Sequence, residues 1–286
     1  MIHSDYHIHT TASYDAHLPL EILIARAREQ GLRQFGVTDH ANYNDTSFIG
    51  NVKQSAENYR RLKHLFPNML LGTELTAIAK PQFDYIAVHH TREGYVPSAQ
   101  DKPYDIELAM TKDEMRALGM VYAVGAAHWR VDVADRKAVA DDLEGDIREW
   151  HRQQMYLAAD ERVTILGHPW ACNPKWSHDF SLIPRSMNDE LFASLKEHGK
   201  YIECNVDMFS SPRKSDRFKH QYAEFLKEAL ERGIRVTYGS DCHGMNRAAS
   251  DYPDQRHWAE EWLAPVGFGE GDFSELAQSD LWEPLK

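Results

Sequence analysis

The chain is short of cysteine, of positive charge and of long apolar stretches. Its three cysteines, Cys172, Cys204 and Cys242, share no chelating spacing. That argues against a disulfide framework or a thiolate zinc module and points to a reducing compartment. No apolar run approaches the roughly 18 residues a membrane helix requires, and no charged-then-apolar leader opens the chain. The expectation is a cytoplasmic protein that does not span a membrane. Lys and Arg number 32 against 44 Asp and Glu, a formal net charge of −12. Such a field repels polyanions and makes nucleic acid a poor partner. Repeats, low-complexity tracts and long linkers are also lacking. The 286 residues therefore read as one domain over 1–286, with 250–286 as an extension that packs on its exterior or overhangs its mouth.

Histidine is plentiful, with 16 residues, and many of them stand where short apolar runs end. The strand-like runs are Ser4–Ile8, Gln34–Thr38, Met69–Glu74, Val121–Ala127, Val163–Gly167, Tyr201–Asn205 and Arg235–Gly239, with Tyr85–His89 as a further candidate. Helical patterns lie between them at Leu18–Gln30, Ser55–Leu65, Lys112–Leu118, Asp135–Ala158, Asp189–His198 and Asp216–Arg232. In the first helix Ile22, Leu23, Ala25 and Ala27 are expected to supply the face against the sheet. Gly199 and Gly233 follow two helices at positions that suit a left-handed stop. Strand and helix in alternation predict a parallel α/β fold, and ligands arriving from many strand ends meet at one point only in a barrel-like arrangement.

His7 and His9 flank Ile8, so in a strand both imidazoles face one side. Asp15 lies in the polar loop that follows. Asp39-His40, Glu74, His128 and His168 each end an apolar run, and Asp241-Cys242-His243 repeats the alternate spacing of the opening pair, with Cys242 expected to point away as a packed thiol. Taken singly, each has a plain structural reading: a turn cap for Asp15, a satisfied polar group for a strand-tip histidine, a solvated Glu74. Taken together they form an imidazole and carboxylate set of the kind that holds Zn, Fe or Mn. Glu74 can bridge two ions through its two oxygens.

His7-x-His9 with Asp15, Thr38-Asp39-His40, Gly72-x-Glu74, Val124-Gly125-x-x-His128, Gly167-His168-Pro169 and Gly239-Ser240-Asp241-x-His243 together resemble the PHP family, named for polymerase and histidinol phosphatase. The resemblance runs from residue 4 to about residue 247. It implies an α/β fold of the distorted TIM-like (β/α)7 barrel type. It also implies two or three divalent ions held by His7, His9, Asp15, His40, Glu74, His128, His168, Asp241 and His243. The stretch between Glu74 and His128 is long, and His89 or His90 is an alternative to His128 as a ligand.

The nearest overall match is to the histidinol-phosphatase-like members, which hold phosphate with basic residues at the mouth. The implied activity is a phosphomonoesterase acting on a small phosphorylated metabolite, with water activated between the metal ions as the nucleophile. Glu74, Asp15 and His243 are the candidate catalytic groups. Arg130, Arg213, Lys214 and Arg247 are the candidate phosphate contacts, since guanidinium clamps phosphate with paired hydrogen bonds. The stretch Asn205-Val206-Asp207-Met208-Phe209 departs from the small residues usual there, so histidinol phosphate itself is not implied. The loop Trp170–Asp179, with Asn173 and Trp176, could shape specificity or act as a lid. Two alternatives stay open: an amidohydrolase or lactonase using the same centre, and a non-enzymatic metal-binding regulatory module. The oligomeric state has no visible signature.

Overall fold

The structure is a computed structural model that describes residues 2–41, 48–80, 105–132, 141–171, 173–244 and 254–285. Ten short strands are assigned: β1 (Ser4–Asp5), β2 (Gln34–Val37), β3 (His40–Ala41), β4 (Met69–Leu71), β5 (Glu74–Ala79), β6 (Ile106–Leu108), β7 (Val124–Ala126), β8 (Ile165–Leu166), β9 (Tyr201–Asn205) and β10 (Arg235–Gly239). β2 and β3 are consecutive pieces of one extended segment, as are β4 and β5. The parallel pairings run β1 to β2 to β4 in one sheet and β3, β5, β7, β8, β9, β10 in the other.

The ring is completed between β10 and β1. Tyr6 N donates to Tyr238 O at 3.0 Å, Asp241 N to His7 O at 2.7 Å, and Ile8 bridges Cys242. Between the two sheets, Gly72 N donates to Val37 O and Val121 N to Leu71 O. Seven strand positions thus follow one another round a barrel, as the sequence pattern predicts. β6 is an antiparallel addition on the outer part of β5, with Ala77 opposite Leu108.

Helices cover the outside: α1 (Leu20–Glu29), α2 (Phe48–Leu62), α3 (Lys112–Leu118), α4 (Leu143–Ala159), α5 (Arg185–Glu197), the single turn α6 (Asp207–Ser210), α7 (Asp216–Glu231) and α8 (Arg256–Leu263). Gly199 and Gly233 adopt positive φ of 64° and 83° after α5 and α7, the expected stops. On α1 the buried stripe is Leu20, Leu23, Ile24 and Ala27. That set follows the i, i+3, i+4, i+7 spacing of a single helical face. Ile22, expected on that face, lies on the other side at 37% exposure, and Ala25 is likewise exposed. The strand candidate Tyr85–His89 lies outside the described residues.

The barrel interior is packed in layers. Near the strand beginnings, Tyr6, Tyr122, Val124, Ile165, Tyr201 and Leu276 form one apolar cluster. Tyr122 crosses the interior and donates to Tyr6 O at 2.9 Å. A Cβ on Gly36 would sit 1.8 Å from the Tyr122 hydroxyl, and one on Gly72 would sit 2.6 Å from its ring. Glycine in these two strands is what lets the ring fit.

The C-terminal segment closes this same end. Leu276 N donates to the Tyr6 hydroxyl, Ala277 N to the Tyr201 hydroxyl and Trp282 N to Val121 O. Asp280 accepts from the Tyr201 hydroxyl at 2.6 Å and pairs with Arg235 at 2.5 Å. Tyr201, Arg235 and Gln34 open their strands, so the extension covers the floor of the barrel. It is the stretch 276–282 that does so; earlier in the extension, Gln255 is buried at the opposite end, where it lines a cavity with Asp241 and His243. Among the described residues no helix is long and apolar enough to cross a membrane.

Candidate metal centre

At the opposite end, the strand tips bring the sequence-predicted ligands together. His7 and His9 follow β1, His40 opens β3 and Glu74 opens β5. His128 lies two residues past β7, His168 two past β8, and Asp241 and His243 follow β10. Glu74 stands at the middle, 1% exposed. Its Oε1 is 2.9 Å from His168 Nε2, 3.2 Å from His128 Nε2 and 3.5 Å from His7 Nε2. Its Oε2 is 2.6 Å from His40 Nδ1 and 3.7 Å from His9 Nε2. Asp241 Oδ1 reaches His9 Nε2 at 3.2 Å, His7 Nε2 at 3.5 Å and His243 Nδ1 at 3.6 Å. Asp15 Oδ2 lies 3.3 Å from His40 Nε2 and 3.6 Å from His243 Nε2.

Three groups within this cluster could each hold an ion: His9, His40 and His243; His7, His9 and Asp241; and Glu74, His128 and His168. The fit is tested by the polar atoms left over. His7 Nε2, His9 Nε2, Asp15 Oδ1 and His168 Nδ1 are buried without a hydrogen-bond partner, and His40 Nδ1 and Glu74 Oε2, though 2.6 Å apart, are not aligned to bond each other. Buried polar atoms are ordinarily satisfied, and this many buried imidazole nitrogens and carboxylate oxygens in one cluster suit metal ions.

The electrostatics agree. Burial alone would lower the His7 and His40 pKa values, yet facing carboxylates raise both well above the usual imidazole range: Glu203, Asp241 and Glu74 for His7, Glu74 and Asp15 for His40. Burial and the neighbouring His243 and His40 push His9 well down, and burial lowers His128 as well. Burial works to raise Glu74 and Asp241, but surrounding imidazoles hold both carboxyls well below the usual range. Such a cluster either shares protons or exchanges them for cations.

The supporting shell was only partly foreseen. Asp39 is not turned to the centre; it accepts from Thr10 N at 2.7 Å, Thr10 Oγ1 at 2.9 Å and Ser13 Oγ at 2.9 Å, which fixes the loop leading to Asp15. Thr76 Oγ1 lies 3.2 Å from His128 Nδ1, and Tyr14 stacks on His40 with ring centroids 5.7 Å apart. His17 N donates to His243 O at 2.8 Å. Cys242 is buried as expected, its thiol pushed up to about 12 by burial. Glu203 was missed: a lone acid inside an apolar run gives no signal unless its strand is known to face a metal.

A cavity of about 490 Å³ opens beside the cluster, lined among others by His168, Asn173, Asn205, Asp207, Arg213, Lys214 and Asp241. A second of about 370 Å³ shares Asp207 and Asp241 and includes His243. Desolvation and the charge of Asp241 raise the Asp207 pKa. Arg213 and Lys214 are thus on the wall of the mouth. Arg130 is not free to serve there, and its expected phosphate contact is corrected. Its guanidinium is held by Asp132 at 2.5 Å, Asp142 at 2.9 Å and Asp146 at 3.3 Å. Those acids take four of its five N–H donors. Arg247, His89 and His90 lie outside the described residues.

The loop after β8 is packed as a wall of the cavity. Trp170 and Trp176 are fully buried, Trp176 Nε1 donates to Trp170 O at 2.7 Å and Trp150 Nε1 to Ala171 O at 2.9 Å. Asn173 and Lys175 both reach Asp146 at 2.7 Å.

Comparison with known proteins accords with this geometry. The PHP domain profile matches residues 5–207, well over half of the chain. The chain belongs to the PHP domain family. It is 24% identical over 242 residues to a probable phosphatase of Acetivibrio thermocellus, covering 84% of this chain and 78% of that protein. A probable phosphatase of a Thermoanaerobacter species is 33% identical over 81 residues, 28% of each chain. The fold is similar to that of histidinol phosphate phosphatase from Lactococcus lactis, whose crystal structure is complexed with zinc, L-histidinol and phosphate. The TM-score is 0.65 at 15% identity, over 93% of this chain and 94% of that one.

Proposed function

We propose that this PHP protein is a metal-dependent phosphomonoesterase acting on a small phosphorylated metabolite. The observation that carries the reading is a set of buried, unpartnered ligand atoms beside a cavity whose wall bears Arg213 and Lys214. The ligands assigned are His7, His9, Asp15, His40, Glu74, His128, His168, Asp241 and His243, holding two or three ions drawn from Zn, Fe and Mn. When bound, such ions lower the pKa of water and neutralise charge on a phosphoryl group.

The chain's own residues supply the rest. Arg213 and Lys214 draw the phosphate to the mouth and offset its charge. Glu74 anchors the centre, since its two oxygens face different imidazoles. Asp15 and His243 stay partly open to solvent, at 36% and 30% side-chain exposure; His243 is placed to protonate a leaving oxygen if it is not itself a metal ligand. The phosphatase names of the relatives and the phosphate in the similar structure support the class. They do not extend to the organic part of the substrate. The scarcity of cysteine supports a cytoplasmic setting.

The test is a panel of phosphomonoesters, including histidinol phosphate, nucleoside monophosphates and sugar phosphates, assayed for inorganic phosphate with protein of known metal content. Release that depends on added metal supports the proposal. Amide, ester or lactone cleavage without phosphate release sinks it in favour of carbonyl hydrolysis.

A further inference from the structure

We infer that Glu203 is a positioning residue for the metal centre, acting through His7 and His168; the inference rests on the reading that this centre binds metal. β9 alternates its side chains, so Tyr201, Glu203 and Asn205 share one side. Tyr201 joins the apolar floor, Asn205 lines the cavity at the mouth, and Glu203 lies between them, 1% exposed.

Its two oxygens have different tasks. Oε1 is 2.7 Å from His7 Nδ1. Oε2 accepts from the backbone N of His168 at 2.5 Å and from Asn205 Nδ2 at 3.3 Å. The same Asn205 Nδ2 reaches Asp241 Oδ2 at 3.2 Å. A carboxylate only accepts, so His7 must carry its proton on Nδ1. That leaves Nε2 as the nitrogen available to a cation, the atom that has no hydrogen-bond partner and faces Glu74 and Asp241. The bond fixes tautomer and ring angle together and raises the basicity of the ligating nitrogen.

The second oxygen acts on backbone. His168 has a positive φ of 25°, a sterically poor conformation for a residue with a Cβ. Its N–H is pinned by Glu203, and its Nε2 arrives 2.9 Å from Glu74. β10 makes room for this carboxylate: a Cβ on Gly239 would fall 1.8 Å from Glu203 Oε1. A glycine there serves the acid, not a turn.

Two variants test the assignment. Glu203→Met keeps the length of the side chain and removes the acceptor, and Glu203→Gln keeps an acceptor and removes the charge. Zinc affinity is measured by competition with a chromophoric chelator on metal-stripped protein, and kcat and KM are measured separately. Losing a carboxylate behind a ligating histidine weakens metal binding about 10–100-fold. That loss is expected for Glu203→Met, a several-fold loss for Glu203→Gln, and in both a fall in kcat with KM held. Wild-type zinc affinity in either variant, folded by its melting curve, overturns the inference even if stability has dropped. Wild-type protein that binds zinc but releases no phosphate overturns the proposed reaction and leaves the affinity test of Glu203 intact.

Discussion

Replacing Glu74 with Gln probes the centre at its hub. The carboxylate is 1% exposed and stands within 3.7 Å of five imidazoles, His7, His9, His40, His128 and His168. Gln conserves the volume, so packing is nearly unchanged, but an NH2 group replaces one oxygen and turns a donor toward ring nitrogens that need an acceptor or a cation. Losing a carboxylate that only supports a ligand costs about 10–100-fold in affinity. Losing one of the metal's own ligands is expected to cost at least the upper end of that range. A factor of about 100 corresponds to about 2.8 kcal/mol at about 1.4 kcal/mol per tenfold. The assay is elemental analysis of Glu74→Gln after gel filtration, paired with phosphate release at fixed added Mn. Substoichiometric metal and turnover reduced by at least about 100-fold are expected. A variant with a full complement of metal and wild-type turnover would refute the reasoning and remove Glu74 from the ligand set.

The remaining predictions separate site from scaffold. Arg213→Ala is expected to lower kcat/KM about 10–100-fold, from losing hydrogen bonds to a charged group, with the melting temperature held, since Arg213 is exposed. Arg130→Ala does the reverse: it strands Asp132 and takes one partner each from Asp142 and Asp146, costing about 1–3 kcal/mol of stability in a denaturant titration while KM stays put. Asp280→Asn weakens the floor at Arg235 and Tyr201; the pair is partly exposed, so about 1 kcal/mol is expected, read as a lower melting temperature with unchanged metal content. Burial works to raise the Asp160 carboxyl, but bonds from the Arg162 side chain and backbone hold it below its ordinary 3.8. Its contribution is therefore fully present above pH 3.8 and is lost as pH falls through the lowered folded-state value. The stability gap between wild type and Asp160→Asn should be present at pH 7 and close on acidification below 3.8.

The sequence makes the site more legible than its surroundings, for a physical reason. A candidate metal ligand at a strand tip is announced by two local facts, its residue type and the apolar run before it, and His40, His128 and His168 have both. Roles set by distant partners leave no such mark. Arg130 reads as a free cation until Asp142 and Asp146 arrive from α4. Glu203 reads as one more residue of a strand until His7, 196 positions away in sequence, comes to face it. The stretch 276–282 has no periodicity to show which end of the barrel it covers; the choice is made by Asp280, Tyr201 and Arg235 together. On α1 the error at Ile22 and Ala25 came from counting apolar residues without holding to a single helical face. The barrel itself was readable because the strand runs alternate with helices. The pieces β3 and β6 were not, being two and three residues long.

The most direct test of the central claim is to strip the protein of metal with a chelator, add Mn or Zn back in measured equivalents, and follow phosphate release from a phosphomonoester that the panel identifies. The account predicts no release from the metal-free protein and a rise that saturates as two or three equivalents bind. Release that persists in protein shown to be free of metal, or none from any monoester at full loading, would contradict it.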